Sequence, residues 1–381
     1  MSTSVAVSAS IIELYDYVPE KKSAESRLRE LDGWRAISVF LVITAHWVIL
    51  QHPGFLARYP ELSPMIHDFG PLGVGIFFVI SGFVICRLLL REEMRTGAVS
   101  LKGFYSRRAF RILPPLFLYL TVVFTLISLR LIYDRHLSVF SSLLFLCDTN
   151  LTPRSWFVGH TWSLAVEEQF YLLFPTVWLV VPRRWRWWAG IAVFLLCVAW
   201  NITGIFAGSN ALMLRSAPAG FACISCGVLL ALCETRARAF ARETPSLIVL
   251  LLAFLLLLHP VKLGSWQAAI FDSLVFPPAA GLLLLFSLEK GKWFRAFLCS
   301  KPMQAVGLTS YGTYLWQELF TASKASYTPS GHFISLGLPL LLLIVPISYF
   351  LIEKPAMRYG KYLSQRAKEA LLSGETVLIS Q

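Results

Sequence analysis

The chain has 381 residues, 56% of them apolar and 15% charged, with a mean hydropathy of +0.63. Soluble domains carry about 25% charged residues, so this composition excludes a soluble enzyme, a disordered protein and a secreted disulfide scaffold. The formal net charge of +12 is that of a membrane protein whose cytoplasmic loops gather lysine and arginine, and it gives no reason to expect a nucleic-acid partner.

Residues 1–30 are polar, include Lys21, Lys22, Arg27 and Arg29, and lack the apolar core and cleavage site of a removable signal peptide. They read as a cytoplasmic N-terminal tail. Apolar blocks follow at approximately 34–52, 70–90, 111–133, 137–148, 162–182, 187–207, 216–233, 245–260, 268–288, 303–322 and 333–352. Most have the length of about 20 residues that crosses a bilayer as a helix; the block at 137–148 is too short. Charge placement decides its fate. If it does not span, one set of alternate loops holds 25 Lys and Arg and the other holds six. If it spans, every later loop flips and the bias collapses. The positive-inside rule therefore predicts ten spans with both termini cytoplasmic, residues 134–161 forming an outer loop with a short non-spanning piece. The expected fold is an all-α polytopic helix bundle: a membrane domain over 31–355 and a basic amphipathic cytoplasmic tail over 356–381, with membrane lipids as its surroundings.

Ionisable groups inside a bilayer are costly and mark function by default. In the first span, Arg35 and His46 are eleven residues apart, which leaves them about 20° from a whole number of turns and about 16 Å apart along the axis. Both therefore point from one stripe. Glu167 and Glu168 lie about two turns inside the fifth block. They point about 100° apart, so one can line a cavity while the other bonds to a neighbouring helix. In the second span Gly75, Ser81 and Gly82 are small residues that permit close helix approach. Arg107, Arg108 and Arg111, between the second and third spans, bring guanidinium groups together at spacings of three and four, a pattern suited to a polyphosphate. Tyr311, Tyr314, Gln317 and Glu318 occupy adjacent turns of the 303–322 block. Cys223 and Cys226 form a C-x-x-C with apolar neighbours and no histidine cluster, so they read as buried packing residues.

Taken together these segments resemble the acyltransferase 3 family of integral-membrane O-acyltransferases. The resemblance is carried by D-G-x-R-x10-H (Asp32, Gly33, Arg35, His46), FFVISGF at 77–83, RRAFRILP at 107–114, WSLAVEEQFY at 162–171, SYGTYLWQ at 310–317 and Glu353-Lys354-Pro355. It implies a multi-pass protein of the plasma membrane (the bacterial inner membrane) that moves an acyl group, most often acetyl, from cytoplasmic acyl-CoA. The implied acceptor is a hydroxyl of an extracytoplasmic glycan or lipid-linked sugar, such as a lipopolysaccharide or exopolysaccharide unit, and no metal is implied.

The resemblance matches the family's arginine, histidine and glutamate to Arg35, His46 and Glu167, and its basic patch to Arg107, Arg108 and Arg111. On that basis His46, Glu167 and Arg35 are the expected catalytic residues. Arg107, Arg108, Arg111 and Arg35 are the expected acyl-CoA ligands, and Glu168, Tyr311, Tyr314 and Gln317 are expected to line the acceptor side. Gln317 stands where many members carry histidine, so a proton-transfer role is not carried over to it. The hydrolase-like domain fused to some members is not expected here. The alternative from another class is a transporter or flippase of a sugar or lipid-linked intermediate, which also needs a polar stripe in a bundle but no dense arginine patch at one entrance.

Overall fold

The structure is a computed structural model that describes residues 28–147, 155–206, 217–258 and 270–373. Residues 1–27 of the expected N-terminal tail and the end of the expected C-terminal tail lie outside the described residues. Among the described residues there are no strands beyond a single bridge between Ile132 and Tyr327. The helices run α1 Arg29–Gln51, α2 Ser63–Thr96, α3 Leu101–Ser128, α4 His136–Leu143, α5 Thr161–Val180, α6 Arg186–Phe206, α7 Ala217–Leu232 and α8 Glu234–Glu243. There follow α9 Ser246–Leu258, α10 Phe276–Glu289, α11 Lys292–Leu298, α12 Lys301–Leu308, α13 Ser310–Thr321, α14 Leu338–Ser348 and α15 Lys354–Ser373.

Six stretches among the described residues are long and apolar enough to cross a membrane: Arg29–Gln51, Pro60–Thr96, Leu101–Ser128, Arg183–Gly204, Phe271–Glu289 and Leu338–Ala370. The pair α7–α8, bent by 91°, makes a seventh if it is one crossing. On α6, Leu195, Leu196 and Trp200 are exposed, as are Leu342, Leu343 and Leu351 near the end of the chain. Apolar side chains in such numbers on long apolar helices face lipid rather than water. The protein is a multi-pass membrane protein. The block at 137–148 forms only the eight-residue α4, about 12 Å long and too short to span.

Two expected elements differ. The 303–322 block is two helices, because the chain leaves helical geometry at Thr309 (φ −94°, ψ 5°). The Thr309 amide still donates to the carbonyl of Ala305 at 3.2 Å, so the first helix keeps its ladder up to the break and the second begins at Ser310. The arginines at 107, 108 and 111 lie inside a helix rather than in a loop. Helix α3 starts at Leu101, where the Ser100 hydroxyl accepts the amide of Gly103 at 3.1 Å, as an N-cap residue does.

The chain forms two compact units, Met1–Leu88 with Val166–Ser310, and Leu89–Ala165 with Tyr311–Gln381. In the first, α2 and α7 meet backbone to backbone. A side chain at Gly82 would strike the carbonyl of Ile224, and one at Gly227 the carbonyl of Val79. Close approach of this kind maximises packing between helices that gain nothing from leaving lipid. Gly75 likewise leaves room for the Phe276 ring. Val79, Ile80, Phe83, Ile85 and Cys223 are fully buried around this contact, and Cys226 is 7% exposed, as packing cysteines would be. Helix α1 is held at its start by α11 and α12: Arg295 pairs with Glu30 at 2.6 Å, and Gln304 donates to the carbonyl of Arg29 at 2.7 Å. Arg87 and Arg238 both pair with Glu234 at 2.7 Å, and Arg238 reaches Glu289 at 2.7 Å.

The second unit is built on α3 and α15. The stretch expected as a solvated tail forms the greater part of α15, which lies along α3. Gly360 lets it close on Ser106 and Phe110, and the Phe110 and Tyr359 rings meet edge to face at 5.0 Å. Buried Glu92 joins them: it pairs with Lys368 at 2.9 Å and Arg107 at 3.4 Å and accepts the amide of Ser100 at 3.0 Å. A buried carboxylate must find such partners, since leaving it alone costs several kcal/mol.

Candidate active site

The first span delivers what its spacing predicts. Helix α1 is unbroken from Arg29 to Gln51, so Arg35 and His46 keep their common stripe. Arg35 pairs with Asp32 one turn before it at 3.2 Å, its side chain 14% exposed. Asp32 is itself 1% exposed. The D-G-x-R motif is thus a charge pair at i and i+3 with a glycine between, and Gly33 lets the backbone of Leu298 approach where a Cβ would collide. His46 is half-buried, three turns further along.

Glu167 and Glu168 are half-buried on α5. The Ser81 hydroxyl donates to Glu167 Oε1, and the Tyr171 hydroxyl donates to Ser81 at 3.3 Å. Ser81, expected to serve packing, is therefore a hydrogen-bonding residue that fixes one oxygen of Glu167. Tyr171 follows Glu167 by four residues and shares its helix face, a signal that the sequence offered.

In the second unit the three arginines do different things. Arg107 is bound into the Glu92 cluster and donates to Ser364 Oγ. Arg108 lies over the ring of Phe104 at 5.8 Å. Arg111, half-buried on the same face, adds its charge beside the buried carboxylate of Glu353, which ends a π-helical turn Tyr349–Glu353. Tyr311 donates to the carbonyl of Ile112 at 3.0 Å. Tyr314 donates to the carbonyl of His160 at 2.9 Å and shares a hydrogen bond with Ser163 at 2.7 Å. Gln317 is fully buried, and its side-chain oxygen accepts the Thr321 hydroxyl at 3.2 Å.

Sequence reading missed the most enclosed pair in this unit. His160 Nδ1 lies 2.9 Å from Glu318 Oε2, with the two side chains 1% and 5% exposed. Tyr119 from α3 and Tyr314 from α13 pack edge-on against the imidazole at 5.7 and 5.3 Å. His160 stands two residues before the W-S-L segment, yet nothing in spacing joins it to α13. Helix α3 gives the unit a scale: Arg111, Tyr119 and Ile127 are successive steps of eight residues, about 12 Å each. The His160–Glu318 pair thus sits at mid-height, between the arginines and the far end of the helix.

Among the described residues no group of three or more His, Cys, Asp or Glu side chains could hold a metal ion. Comparison with known proteins accounts for the motifs. The acyltransferase 3 family model, described as an acyltransferase domain, matches residues 28–353. A putative O-acetyltransferase of Staphylococcus aureus (strain COL) is 28% identical over 380 residues, covering 87% of this chain and 57% of its own length. O-acetyltransferase OatA of S. aureus (strain MRSA252) is 27% identical over 396 residues, covering 94% of this chain and 62% of its own. The chain therefore spans only about 57–62% of the length of these curated relatives. No solved structure matches it. The family match runs from the residue before α1 to Glu353 and takes in Asp32, Arg35, His46, Ser81, Glu167 and Glu318 alike; the chain belongs to the acyltransferase 3 family.

Proposed function

We infer that the protein is an O-acetyltransferase that takes its acyl group from cytoplasmic acyl-CoA and gives it to a hydroxyl of an extracytoplasmic glycan or lipid-linked sugar. The observation that carries this reading is the family match over nearly every apolar helix, supported by the O-acetyltransferase relatives. The bundle crosses the plasma membrane ten times with both termini inside, as the lysine and arginine bias requires.

In this reading Arg108 and Arg111 hold the phosphates of CoA, with Arg107 braced by Glu92 behind them, and Arg35 holds the pantetheine arm. His46 acts as general base. Its imidazole takes the proton of the acceptor hydroxyl as that oxygen attacks the thioester carbon. The tetrahedral intermediate collapses, the C–S bond breaks, and the CoA thiolate leaves with the proton from the imidazolium. An imidazole suits both transfers because its ordinary pKa lies near neutrality. Glu167, with one oxygen fixed by Ser81, stabilises the imidazolium in a low-dielectric setting that otherwise disfavours charge. Glu168, Tyr311, Tyr314 and Gln317 line the acceptor path.

The test is donor consumption by the purified protein. Acetyl-CoA and a glycan-bearing envelope fraction should yield free CoA thiol and base-labile acetate in equal amounts. Arg108→Glu or Arg111→Glu should raise the apparent KM for acetyl-CoA about tenfold or more, the loss of one charge-assisted bidentate contact, with little change in the acceptor KM. A rise in the acceptor KM alone contradicts the phosphate assignment. The absence of any thiol release contradicts the reaction.

A further inference from the structure

A pocket of about 740 Å³ lies in the second unit beyond the end of α3. Its volume is that of a small-ligand site, but its walls are unusual. Two exposed arginines, Arg130 and Arg135, line it, and among the described residues neither makes an ion pair or side-chain hydrogen bond. The carboxylate beside them, Asp134, is already committed: it accepts the Ser138 hydroxyl at 2.9 Å, the Arg135 amide at 2.7 Å and the Ser155 hydroxyl. Those neutral donors leave the Asp134 charge in place, so among the described residues the pocket carries two guanidinium charges against one carboxylate. It also presents aromatic surface, from Trp156 and from Tyr133, which is 64% exposed.

The pocket is preformed. The Thr328 amide donates to the carbonyl of Leu131 at 3.0 Å, and the Tyr133 amide to that of Ser326 at 3.0 Å. The Thr328 hydroxyl donates to the carbonyl of Arg130 at 2.8 Å. Arg130 is held there at φ +56°, a left-handed conformation that disfavours any side chain and that glycine adopts freely. That left-handed turn closes α3, with the Leu131 amide donating to the carbonyl of Leu126 at 2.9 Å. Position on α3 adds the direction. Ile127 in the pocket wall lies sixteen residues from Arg111, about 24 Å along the helix, against about 30 Å for the hydrocarbon core. The wall also touches the buried pair at mid-height, since Trp156 Nε1 donates to the carbonyl of Glu318 at 3.2 Å.

We propose that this pocket is the acceptor subsite and that it takes an anionic saccharide, one whose ring stacks on Trp156 or Tyr133 while its carboxylate or phosphate is held by Arg130 and Arg135. Guanidinium groups bind both anions in the same bidentate way, and the sugar's own hydroxyls supply the acyl acceptor. The inference rests on the acyl-transfer reading, and it narrows the acceptor from glycans in general to those that carry negative charge.

The experiment measures binding to the purified full chain in detergent, with saturating CoA present to occupy the donor arginines. The probes are tetragalacturonate, N-acetylglucosamine 1-phosphate and neutral maltotetraose. An anionic probe should bind at least about tenfold more tightly than maltotetraose, the gain of one charge-assisted contact. Preference for tetragalacturonate identifies a uronate, and preference for the sugar phosphate identifies a phosphate-linked unit. Arg130→Gly and Arg135→Gln should each lower that affinity about tenfold or more. Arg130→Gly should also hold or raise the thermal midpoint, because glycine relieves the left-handed strain, so its loss of binding is not loss of fold. Equal affinity for all three probes, or anionic binding unchanged in both variants, overturns the proposal. Thiol release from acetyl-CoA by the unaltered protein is followed alongside. Release without saccharide preference defeats the subsite alone, and selective binding without release defeats the acyl-CoA reading alone.

Discussion

His46→Ala should lower acyl transfer about 10²–10⁴-fold, the range contributed by a positioned general base, while leaving helix content and the thermal midpoint nearly unchanged. The expectation of intact folding follows from location. His46 is half-buried near the far end of α1, and the polar contacts at the start of this helix remain in the variant: Arg295 on Glu30, Gln304 on the carbonyl of Arg29, and Trp34 donating to Ser287 at 2.9 Å. The measurement is CoA thiol release with acceptor present, set beside circular dichroism and a melting curve. Unimpaired acylation in the variant removes His46 from the mechanism. A rapid-quench trial with labelled donor and no acceptor separates two versions of the chemistry. A general base leaves the protein unlabelled, whereas an acyl-histidine intermediate leaves label that His46→Ala abolishes.

The largest effect on stability is expected at the other histidine's partner. Glu318→Ala leaves His160 buried with its Nδ1 contact removed and a void beside the imidazole, which Tyr119 meets edge-on at 5.7 Å. Leaving a buried polar group without its neighbour costs about 1–3 kcal/mol, and the void adds to that, enough to lower the thermal midpoint in detergent by several degrees. Glu318→Gln keeps a hydrogen-bonding oxygen at the same place and should cost about 1 kcal/mol. Equal midpoints for wild type and Glu318→Ala contradict the pairing, and equal losses in Ala and Gln variants assign the effect to charge rather than to packing.

The parts of this protein that were legible in its sequence are those whose physics is local. About twenty consecutive apolar residues announce a membrane-crossing helix whatever it packs against, and the family motifs are legible as strings. The Arg35–His46 stripe needed only the helical repeat, and α1 keeps that repeat without a break. The glycines of α2 were readable as contact points because a missing side chain matters only where another backbone comes close, and Gly82 does meet Ile224. The break at Thr309 carries no such local signature, since the amide there still bonds to the carbonyl of Ala305. In α15 the spacing of apolar residues shows an amphipathic face, but not that α3 covers it.

What the sequence determined by itself was an acyltransferase 3 membrane bundle and the side chains that carry charge within its apolar helices. What only the tertiary structure decided was whom those charges face. Arg107 became a brace because Glu92 and Ser364 reach it from other helices, Ser81 became a partner of Glu167, and His160 found Glu318 on a helix far along the chain. The reason is the same in each case. A buried polar group is stable only with a partner, and a partner supplied by a distant segment leaves no trace in local spacing.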